Sequence, residues 1–305
     1  MTILILSPPD DEHAQHMRDF LQTQQARVRF LNSADFPSNL GICFEPATGA
    51  GCFSFPDGEM LKFADVESVY WRSFAGVATQ PLPDEEQAYI AHNDSRSLFE
   101  SVLIHLKTRW VNGWKAFQLH QTKPAALAMV AELGVPVPET VLTNDPDGVI
   151  AFIQRHSHCI FKPVQGGAHT RRLELQHLSD ENLDNLQFAP VTLQEEIPGT
   201  DVRVFVAGER VLACEVRTEA VDFRDDPDPE IVAVDLPRDV AERSIRIART
   251  LHLLWTGIDY RRTADGEHVF LEANPSPMFI GFEERSGLPL TEILADVLRG
   301  GGASS

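Results

Sequence analysis

Basic residues are scarce in this 305-residue chain, which has 26 Lys and Arg against 45 Asp and Glu. The formal net charge of −19 argues against nucleic acid as a partner, because sequence-independent binding to a phosphate backbone needs a surplus of Lys and Arg. Solubility is the simplest explanation of the acidic composition, although a basic peptide would also be attracted to such a surface. A nucleotide pocket is not excluded, since it needs only a few converging basic residues.

Cysteines and long apolar runs are also scarce. The four cysteines lie in apolar, strand-like runs without a Cys-x-x-Cys spacing, at Cys43, Cys52, Cys159 and Cys214. This pattern argues against a thiolate metal site and favours a reducing compartment. The N-terminal stretch MTILILSPPDD has no basic region, and its apolar run is too short for a signal peptide or a membrane span. We therefore expect a cytoplasmic protein that does not act in a membrane.

Two glycine-rich nucleotide motifs are missing. No Gly-x-Gly-x-x-Gly follows the first apolar run, and the residue order of a Walker A loop does not occur. The chain instead opens with an apolar run at residues 2–6, a helix-like stretch at residues 12–25 and the run RVRFLN, which predict strand, helix and strand. From Gly41 to Trp71, short apolar runs interrupted by Gly and Pro predict antiparallel strands.

The rest of the chain continues to alternate. Helices are expected at Glu85–Leu106 and Thr122–Leu133, and a strand, helix and strand between residues 138 and 164 indicate a second α/β module. Beyond residue 190 the pattern predicts several strands, one amphipathic helix and a final strand pair. We therefore predict the α/β class with α+β subdomains, divided into residues 1–114, 115–190 and 191–300, with a disordered tail at residues 301–305.

The last predicted strand, His268–Asn274, carries an acid and an amide two residues apart, Glu272 and Asn274. Because side chains alternate between the two faces of a strand, these two residues share a face with Phe270. The opposite face is predicted to be core and consists of Val269, Leu271 and Ala273. The strand is expected to end at the prolines that follow.

An Asp-Gly pair at residues 265–266 is the strongest short signal for a two-residue hairpin turn. Counting outward from it pairs Thr263 with His268 and places Asp259 directly opposite Glu272. Directly opposed β-carbons lie roughly 4.5–5.5 Å apart, so two like charges there repel each other. A shared proton, a nearby Lys or Arg, or a divalent cation bound to both carboxylates would offset this repulsion.

Two explanations of the acid pair remain open at this point. Arg261 and Arg262 are near enough in sequence to form a surface ion-pair cluster with it. Alternatively, the amide oxygen of Asn274 adds a third hard ligand on the same face. A small set of oxygen ligands that leaves places for water and phosphate suits Mg²⁺.

Several basic residues could meet a phosphate. Lys162 ends a predicted strand just before Gly166 and Gly167, whose backbone amides could close on an anion. Lys123 opens a helix, and taken alone it is typical of a solvated lysine. Three arginines lie on or just after the predicted strands that lead to the acid pair, namely Arg203, Arg217 and Arg224. Together they could clamp a transferring phosphoryl group, although each alone is typical of an exposed sheet residue.

The ordered set of Lys123, Lys162, QEEI, DVR, DFR, Asp259 and EANPSP resembles the ATP-grasp ligases, most closely the RimK-like group that joins amino acids to peptides or proteins. The similarity runs from about Lys115 to the C-terminus and rests on the order and spacing of the parts. It implies an ATP-grasp fold, with an N-terminal pre-ATP-grasp α/β domain, a central domain and a C-terminal antiparallel-sheet domain.

The resemblance also implies roles for individual residues. The ATP phosphates would be bound by Lys123 and Lys162 and covered by a loop that contains Gln165, Gly166 and Gly167. The adenine would be held by a connector, Gln194, Glu195, Glu196 and Ile197, and the ribose by Asp201. Phosphate or the acyl group being formed would be contacted by Arg203, Arg217 and Arg224, the last of which also counts as nucleotide-binding. The Mg²⁺ ligands would be Asp259, Glu272 and Asn274, with Mn²⁺ as the alternative ion.

The first third of the chain resembles a narrower group. Its strand-helix opening and its Gly-rich segment ending in SVYWRSF are similar to the N-terminal domain of graspetide ligases, the enzymes that macrocyclise microviridin-type peptides. The chain departs from their pattern in having WRSF where they carry a second basic residue. It also has NPSPMF where they have an NPNGQ-type ending, and this feature is closer to the RimK-like side.

These resemblances imply an ATP-dependent carboxylate-amine ligase. It would form an amide or an ester through an acyl phosphate on a peptide or protein and release ADP and phosphate. Two alternatives remain: the same chemistry on free amino acids or small metabolites, and a non-catalytic ATP-binding regulatory protein. Related ligases also imply self-association into a homo-oligomer.

Overall fold

A parallel sheet and a smaller antiparallel sheet form the first segment of the chain. The computed structural model describes residues 1–165, 169–218 and 223–301, apart from the side chain of Arg224. The elements up to residue 111 are β1 (Thr2–Leu6), α1 (Glu12–Thr23), β2 (Arg27–Leu31), β3 (Gly41–Glu45), β4 (Ala50–Ser54), β5 (Met60–Lys62), β6 (Val66–Trp71), α2 (Glu85–His105) and β7 (Arg109–Val111). The parallel sheet has the order β2-β1-β6-β7, and β3, β4 and β5 are antiparallel neighbours.

The predicted opening of strand, helix and strand is confirmed. Asp11 begins α1 by accepting a hydrogen bond from the amide of Ala14 at 2.8 Å. The predicted antiparallel pairing of the segment from Gly41 to Trp71 is confirmed for β3, β4 and β5 but is wrong for β6, which runs parallel to β1. Strand β6 is buried along nearly its whole length, which is typical of a strand inside a parallel sheet covered on both faces.

The central segment has an antiparallel sheet and supplies the helix that leads into the cleft described below. Its elements are α3 (Trp114–Gln121), α4 (Lys123–Glu132), β8 (Thr140–Thr143), α5 (Pro146–Arg155), β9 (Cys159–Pro163), β10 (Arg171–Arg172), α6 (Asp180–Asp184) and β11 (Val191–Glu195). The strand order is β10-β9-β11-β8. Strand β11 belongs to this sheet, which therefore continues to Glu195. The division into domains stays a prediction, and residues 302–305 of the predicted tail lie outside the described residues.

The C-terminal segment is built on a five-stranded antiparallel sheet of order β14-β13-β12-β15-β16. Its elements are β12 (Thr200–Ala207), β13 (Arg210–Arg217), β14 (Glu230–Val234), α7 (Arg238–Thr250), β15 (Trp255–Arg262), β16 (His268–Asn274), α8 (Ile280–Ser286) and α9 (Leu290–Leu298). The predicted amphipathic helix is confirmed as α7, which buries Val240, Ile247 and Ala248. Among the described helices, none combines the length and the apolar character needed to cross a membrane.

One hydrophobic cluster joins the first segment to the C-terminal segment. Ile3, Met17 and Tyr70 belong to the same buried cluster as Phe205 and Trp255 from the C-terminal sheet. The rings of Phe205 and Trp255 stack with their centroids 5.7 Å apart. The inner faces of β1, α1 and β6 are therefore buried against elements more than a hundred residues away in sequence.

Asn112, directly after β7, adds polar contacts to this junction. Its side chain is buried. Its Nδ2 donates to the carbonyl oxygens of Trp255 and Pro275, each at 2.7 Å. Its Oδ1 accepts from the amides of Leu254 at 2.6 Å and Trp255 at 3.2 Å. This one amide therefore satisfies backbone groups at the start of β15 and directly after the end of β16.

We expect Asn112→Ala to lower the free energy of unfolding by roughly 2–4 kcal/mol, because it leaves buried backbone groups without partners. Urea unfolding followed by tryptophan fluorescence measures the change. Asn182→Ala is the matched control, since Asn182 is exposed and its loss should change the value by less than about 0.5 kcal/mol. Equal values for the two variants would contradict a structural role for Asn112.

His13 lies at the same junction, on α1. Its ring packs against Phe279 with centroids 4.9 Å apart, and its Nδ1 has no hydrogen-bond partner among the described residues. Burial lowers the pKa of His13 to about 4, and the nearby Arg72 guanidinium acts in the same direction. His13 is therefore neutral in the folded protein at neutral pH.

This shift predicts a pH dependence of stability. Between about pH 4 and 6.5 the unfolded chain binds a proton at His13 that the folded chain does not, so stability falls as the pH falls through this window. His13→Gln should reduce the slope of unfolding free energy against pH by up to about 1.4 kcal/mol per pH unit. Urea unfolding across the window measures the slope, with the exposed His92→Gln as control. An unchanged slope in His13→Gln would exclude His13 as the source.

Candidate active site

The final hairpin places Asp259 opposite Glu272, as predicted, but by a different count. Gly266 has a φ of 89°, and the amide of Thr263 donates to the carbonyl of Glu267 at 2.9 Å. The loop is therefore one residue longer than a two-residue turn. As a result, the predicted pairing of Thr263 with His268 is wrong, and Arg262 lies opposite His268.

A bulge restores the register before the acids are reached. Tyr260 lies opposite Phe270, whereas Asp259 lies opposite Glu272, so Leu271 is the extra residue between the two pairs. The extra residue changes which side chains share a face. Phe270 packs with Tyr260 in a core cluster, not on the face of Glu272 as predicted. Leu271, predicted to be core, is half-buried and lines the cleft.

Charged side chains form a row across three strands. Arg203 on β12 lies directly opposite Asp259 on β15, which lies opposite Glu272 on β16. Arg203 donates to both oxygens of Asp259, from Nε to Oδ1 and from Nη2 to Oδ2, the latter at 3.0 Å. Lys123, the first residue of α4, donates from Nζ to Oε2 of Glu272 at 2.9 Å. Each acid thus has its own cation, which offsets the repulsion between them.

The arginines that follow Asp259 in sequence bind other acids. Arg261 lies opposite Asp201, and its Nη1 is 2.5 Å from Oδ1 of that residue. Arg262 donates from Nη2 to Oε2 of Glu215 at 2.7 Å. The alternative of an ion-pair cluster between these arginines and the acid pair is therefore wrong.

A glycine allows Arg203 to reach the acids. A β-carbon on Gly257 would lie 3.2 Å from Cδ of Arg203 and 2.9 Å from Cβ of Pro277. The guanidinium carbon of Arg203 lies 5.0 Å from the centre of the Phe282 ring. Arg203 is thus held in a buried position between an aromatic face and the carboxylate of Asp259.

The two acids and Asn274 form a donor set that fits Mg²⁺. Asn274 Nδ2 donates to Oε1 of Glu272 at 3.0 Å, so the amide oxygen is the atom it can offer to a cation. Within the part of the chain that the structure describes, no three His, Cys, Asp or Glu side chains are grouped to hold a metal. Two carboxylates and an amide oxygen still suit Mg²⁺, because this ion usually retains waters and substrate phosphates as its other ligands.

The two carboxyl groups differ in pKa. Burial raises the pKa of Asp259 to about 6; Arg203 lowers it in part, and the charge of Glu272 adds to the increase. Burial acts in the same direction on Glu272, but the Lys123 ammonium and the hydrogen bonds from Lys123 and Asn274 outweigh it and hold its pKa at about 2. Glu272 is therefore ionised at neutral pH and Asp259 largely so, in the form that cation ligands need.

The central sheet provides the other wall of the cleft, a cavity of about 730 Å³. Lys162 on β9 donates from Nζ to Oε1 of Gln194 at 3.2 Å, and Nε2 of Gln194 donates to Oγ1 of Thr140 at 2.9 Å. Nine of the predicted site residues line this cavity: Lys123, Lys162, Gln165, Gln194, Asp201, Arg203, Asp259, Glu272 and Asn274. The structure thus brings the lysines, the acid set and Arg203 together in one place.

The rest of the predicted connector lies at the edge of this wall. The amides of Glu195 and Glu196 donate to the carbonyls of Glu139 and His158, at 3.0 and 3.1 Å. The carbonyl of Ile197 accepts from Nε of Arg261 at 3.1 Å. Glu196 also forms an ion pair with Arg172 at 2.6 Å. These bonds fix the chain between β11 and β12.

The remaining predicted residues are placed differently. Arg217, at the end of β13, is half exposed and pairs with Glu215 at 2.9 Å and Glu230 at 3.3 Å. Arg217 is not among the described residues that line the cavity. Gly166, Gly167 and the side chain of Arg224 lie outside the described residues.

Sequence reasoning missed residues from the first segment that reach this site. Arg72 donates from Nη1 to the carbonyl of Ser276 at 2.9 Å and from Nε to Asp11 at 3.0 Å. Ser276 Oγ in turn donates to the carbonyl of Trp71 at 2.8 Å. Together with Asn112 these contacts hold the segment after Asn274. Arg72 belongs to the WRSF stretch that carries the resemblance of the first segment, but its sequence context does not identify a partner.

Comparison with known proteins matches residues 120–298 to the RimK-like ATP-grasp domain. A probable alpha-L-glutamate ligase of Legionella pneumophila is 30% identical over 206 residues, which is 62% of this chain and 68% of the relative. Among solved structures, the ATP-grasp ligase PsnB complexed with a minimal precursor is 31% identical, with a TM-score of 0.84 and 97% of each chain covered. PsnB has also been solved with minimal precursor, Mg and ADP, at 30% identity.

A further structure shares the fold alone. The macrocyclase MdnC bound with precursor peptide MdnA, from Microcystis aeruginosa, has a TM-score of 0.84 at 21% identity and covers 98% of this chain. The predicted ATP-grasp fold is thus confirmed over nearly the whole length. The domain match, the relatives and the cleft lead to one conclusion: this chain belongs to the family of RimK-like ATP-grasp ligases.

Proposed function

We propose that this ligase uses ATP and Mg²⁺ to activate a carboxylate of a peptide and join it to an amine or a hydroxyl. The product would be an amide or an ester, formed through an acyl phosphate with release of ADP and phosphate. The observation that carries the proposal is the row Arg203, Asp259 and Glu272, completed by Lys123 and Asn274 on the wall of one cleft. This arrangement matches the demands of phosphoryl transfer, in which positioning and charge stabilisation do most of the work.

Asp259, Glu272 and Asn274 would hold Mg²⁺. When bound, this ion would supply positive charge that neutralises the charge developing on the phosphates during transfer. Glu272 is ionised at all physiological pH values because Lys123 holds its pKa near 2. Arg203 keeps Asp259 in a fixed orientation through two hydrogen bonds, so the carboxylates need little rearrangement to bind a cation.

The lysines would bind the phosphates from two sides. Lys123 comes from α4, beside the acid set, and Lys162 comes from β9 on the central sheet. The ammonium of Lys123 lies 2.9 Å from Glu272. A phosphate bound beside Glu272 would therefore also interact with this ammonium. We further propose that the connector Gln194–Ile197 binds the adenine and that Asp201 binds the ribose. The support is the placement of Gln194 and Asp201 on the cavity wall.

A peptide substrate is favoured by the extent of the match. PsnB, complexed with a minimal precursor, aligns over 97% of this chain, including the first segment outside the RimK-like domain. A free amino acid such as glutamate is the second candidate, because relatives carry the name alpha-L-glutamate ligase. The acidic composition supports an enzyme without a nucleic acid partner, and the placement of the cysteines in apolar runs supports a cytoplasmic one. We also propose self-association, as the family resemblance implies.

Glu272→Gln should abolish carboxylate-dependent ADP release, with a loss of at least about 100-fold. The substitution removes one of the two anionic ligands and leaves the Lys123 ammonium without its anion. ADP release is measured with Mg²⁺ and a panel of peptides and amino acids, each offered as carboxylate and as amine or hydroxyl donor. Glu267→Gln is the matched control, since Glu267 is exposed in the same hairpin and should retain activity.

Each outcome of this experiment decides between the candidates. Turnover with peptides alone supports the peptide ligase, and turnover with glutamate alone supports the second candidate. ATP binding without turnover on any member of the panel would contradict the ligase and favour a regulatory ATP-binding protein. Unchanged activity in Glu272→Gln would contradict the assignment of Glu272 to the metal.

Arg203→Lys should cost more activity than Arg217→Lys. A lysine cannot reproduce the two-pronged contact of Arg203 with Asp259. We therefore expect kcat to fall by about 10–100-fold for Arg203→Lys, with little change in the KM for ATP. For Arg217→Lys we expect less than about threefold, since Arg217 pairs with Glu215 and Glu230 away from the cavity wall. Steady-state kinetics compares the two, and an equal loss would contradict a special role for the contact between Arg203 and Asp259.

A further inference from the structure

Two cysteines lie directly opposite each other in the small antiparallel sheet of the first segment. Strands β3 and β4 pair so that Cys43 is opposite Cys52, between the pairs Ile42 with Phe53 and Phe44 with Gly51. Directly opposed residues of an antiparallel pair project their side chains from the same face of the sheet. The two thiols are therefore neighbours on one face.

This face is the one that points away from the core. Along β3, exposed and partly buried residues alternate, and Ile42 and Phe44 pack against a hydrophobic cluster on the inner side. Cys43 is exposed and Cys52 is half-buried, whereas the other two cysteines, Cys159 and Cys214, are buried. A free cysteine usually acts as a small buried apolar residue. Packing therefore does not explain the pair on the outer face.

The spacing of the pair suits a covalent bond. Opposed α-carbons in antiparallel sheets lie about 4.5 or 5.5 Å apart, depending on the type of pair, and disulfides form over roughly 4.4–6.8 Å. The backbone of the hairpin thus already has the separation that a disulfide needs. On the other side of Cys52, the exposed Lys62 of β5 is its direct neighbour. Reactive thiols are typically partly exposed and close to a positive charge.

We propose that Cys43 and Cys52 are a reversible redox site, oxidised to a cross-strand disulfide by a low-molecular-weight disulfide. The thiolate of Cys43, the more exposed residue, attacks the small disulfide, forms a mixed disulfide and releases one small thiol. The thiolate of Cys52 then attacks the sulfur of Cys43 and releases the second small thiol. The protein loses two electrons and two protons, and the small disulfide becomes two thiols.

The site is separate from the ligase chemistry. Neither Cys43 nor Cys52 is among the described residues that line the cleft. The bond would close the hairpin between β3 and β4 on its outer face and leave the packing of Phe53 against the core unchanged. The inference therefore does not depend on the proposed substrate or on the metal assignment.

The test treats the reduced, native full-length protein with glutathione disulfide and then alkylates the remaining thiols. Intact-mass measurement should show the loss of two hydrogens, no retained glutathione, and recovery of the original mass with dithiothreitol. Peptide mapping should find Cys43 linked to Cys52. Cys159 and Cys214 serve as internal controls, since both are buried and should be alkylated only after denaturation.

Single variants test whether the second thiol resolves the mixed disulfide. Cys43→Ser and Cys52→Ser each leave one thiol of the pair, so each should retain one glutathione where the wild-type protein retains none. Circular dichroism checks that both variants are folded, as expected for substitutions on an outer face. The proposal is overturned if the wild type keeps glutathione on both cysteines, remains reduced while either single variant reacts, links Cys43 or Cys52 to Cys159 or Cys214, or stays unmodified in all three proteins.

Discussion

The row of charges Arg203, Asp259 and Glu272 is the constraint on which the rest of this structure depends. Two carboxylates on neighbouring strands repel each other, and they persist here because Arg203 comes from a third strand and Lys123 from a helix. Each carboxylate needs its own cation nearby. This requirement links the registers of β12, β15 and β16 to the position of α4. Gly257 contributes to the same arrangement, because a β-carbon there would crowd Pro277 and the Arg203 stem.

Local sequence signals predicted most of the strands and the pairing of the two acids. Alternating apolar residues predicted the strands, and the Asp-Gly turn with the strand pattern around it placed Asp259 opposite Glu272. The predicted pair is right because two features that the prediction missed cancel each other. The loop is one residue longer than predicted, and Leu271 is an extra, bulged residue in β16. A bulge depends on how both faces of the strand pack, so the local pattern could not reveal it. The position of Phe270 in the core follows from the bulge and was missed for the same reason.

Contacts between distant parts of the chain were beyond sequence reasoning. The parallel pairing of β6 depends on what covers its two faces, and the elements that do so come from both ends of the chain. Asn112 and Arg72 fix the backbone that follows Asn274, yet neither Asn112 nor the WRSF stretch that contains Arg72 indicates this partner in the sequence. Arg203 and Arg217 lie on neighbouring strands and are equivalent in the sequence pattern. Only the first lies opposite Asp259, because strand register decides which arginine reaches the acids.

The hydrophobic cluster shared by the first segment and the C-terminal sheet has a consequence for how such enzymes diversify. Residues of β1, α1 and β6 complete a core whose other half is the sheet that carries the acid row. A segment that is part of another segment's core cannot be exchanged as a cassette between ligases, because each exchange would have to rematch interlocking side chains. Replacement of surface residues leaves this shared core intact, whereas exchange of the whole first segment would disturb the packing beneath the acid row.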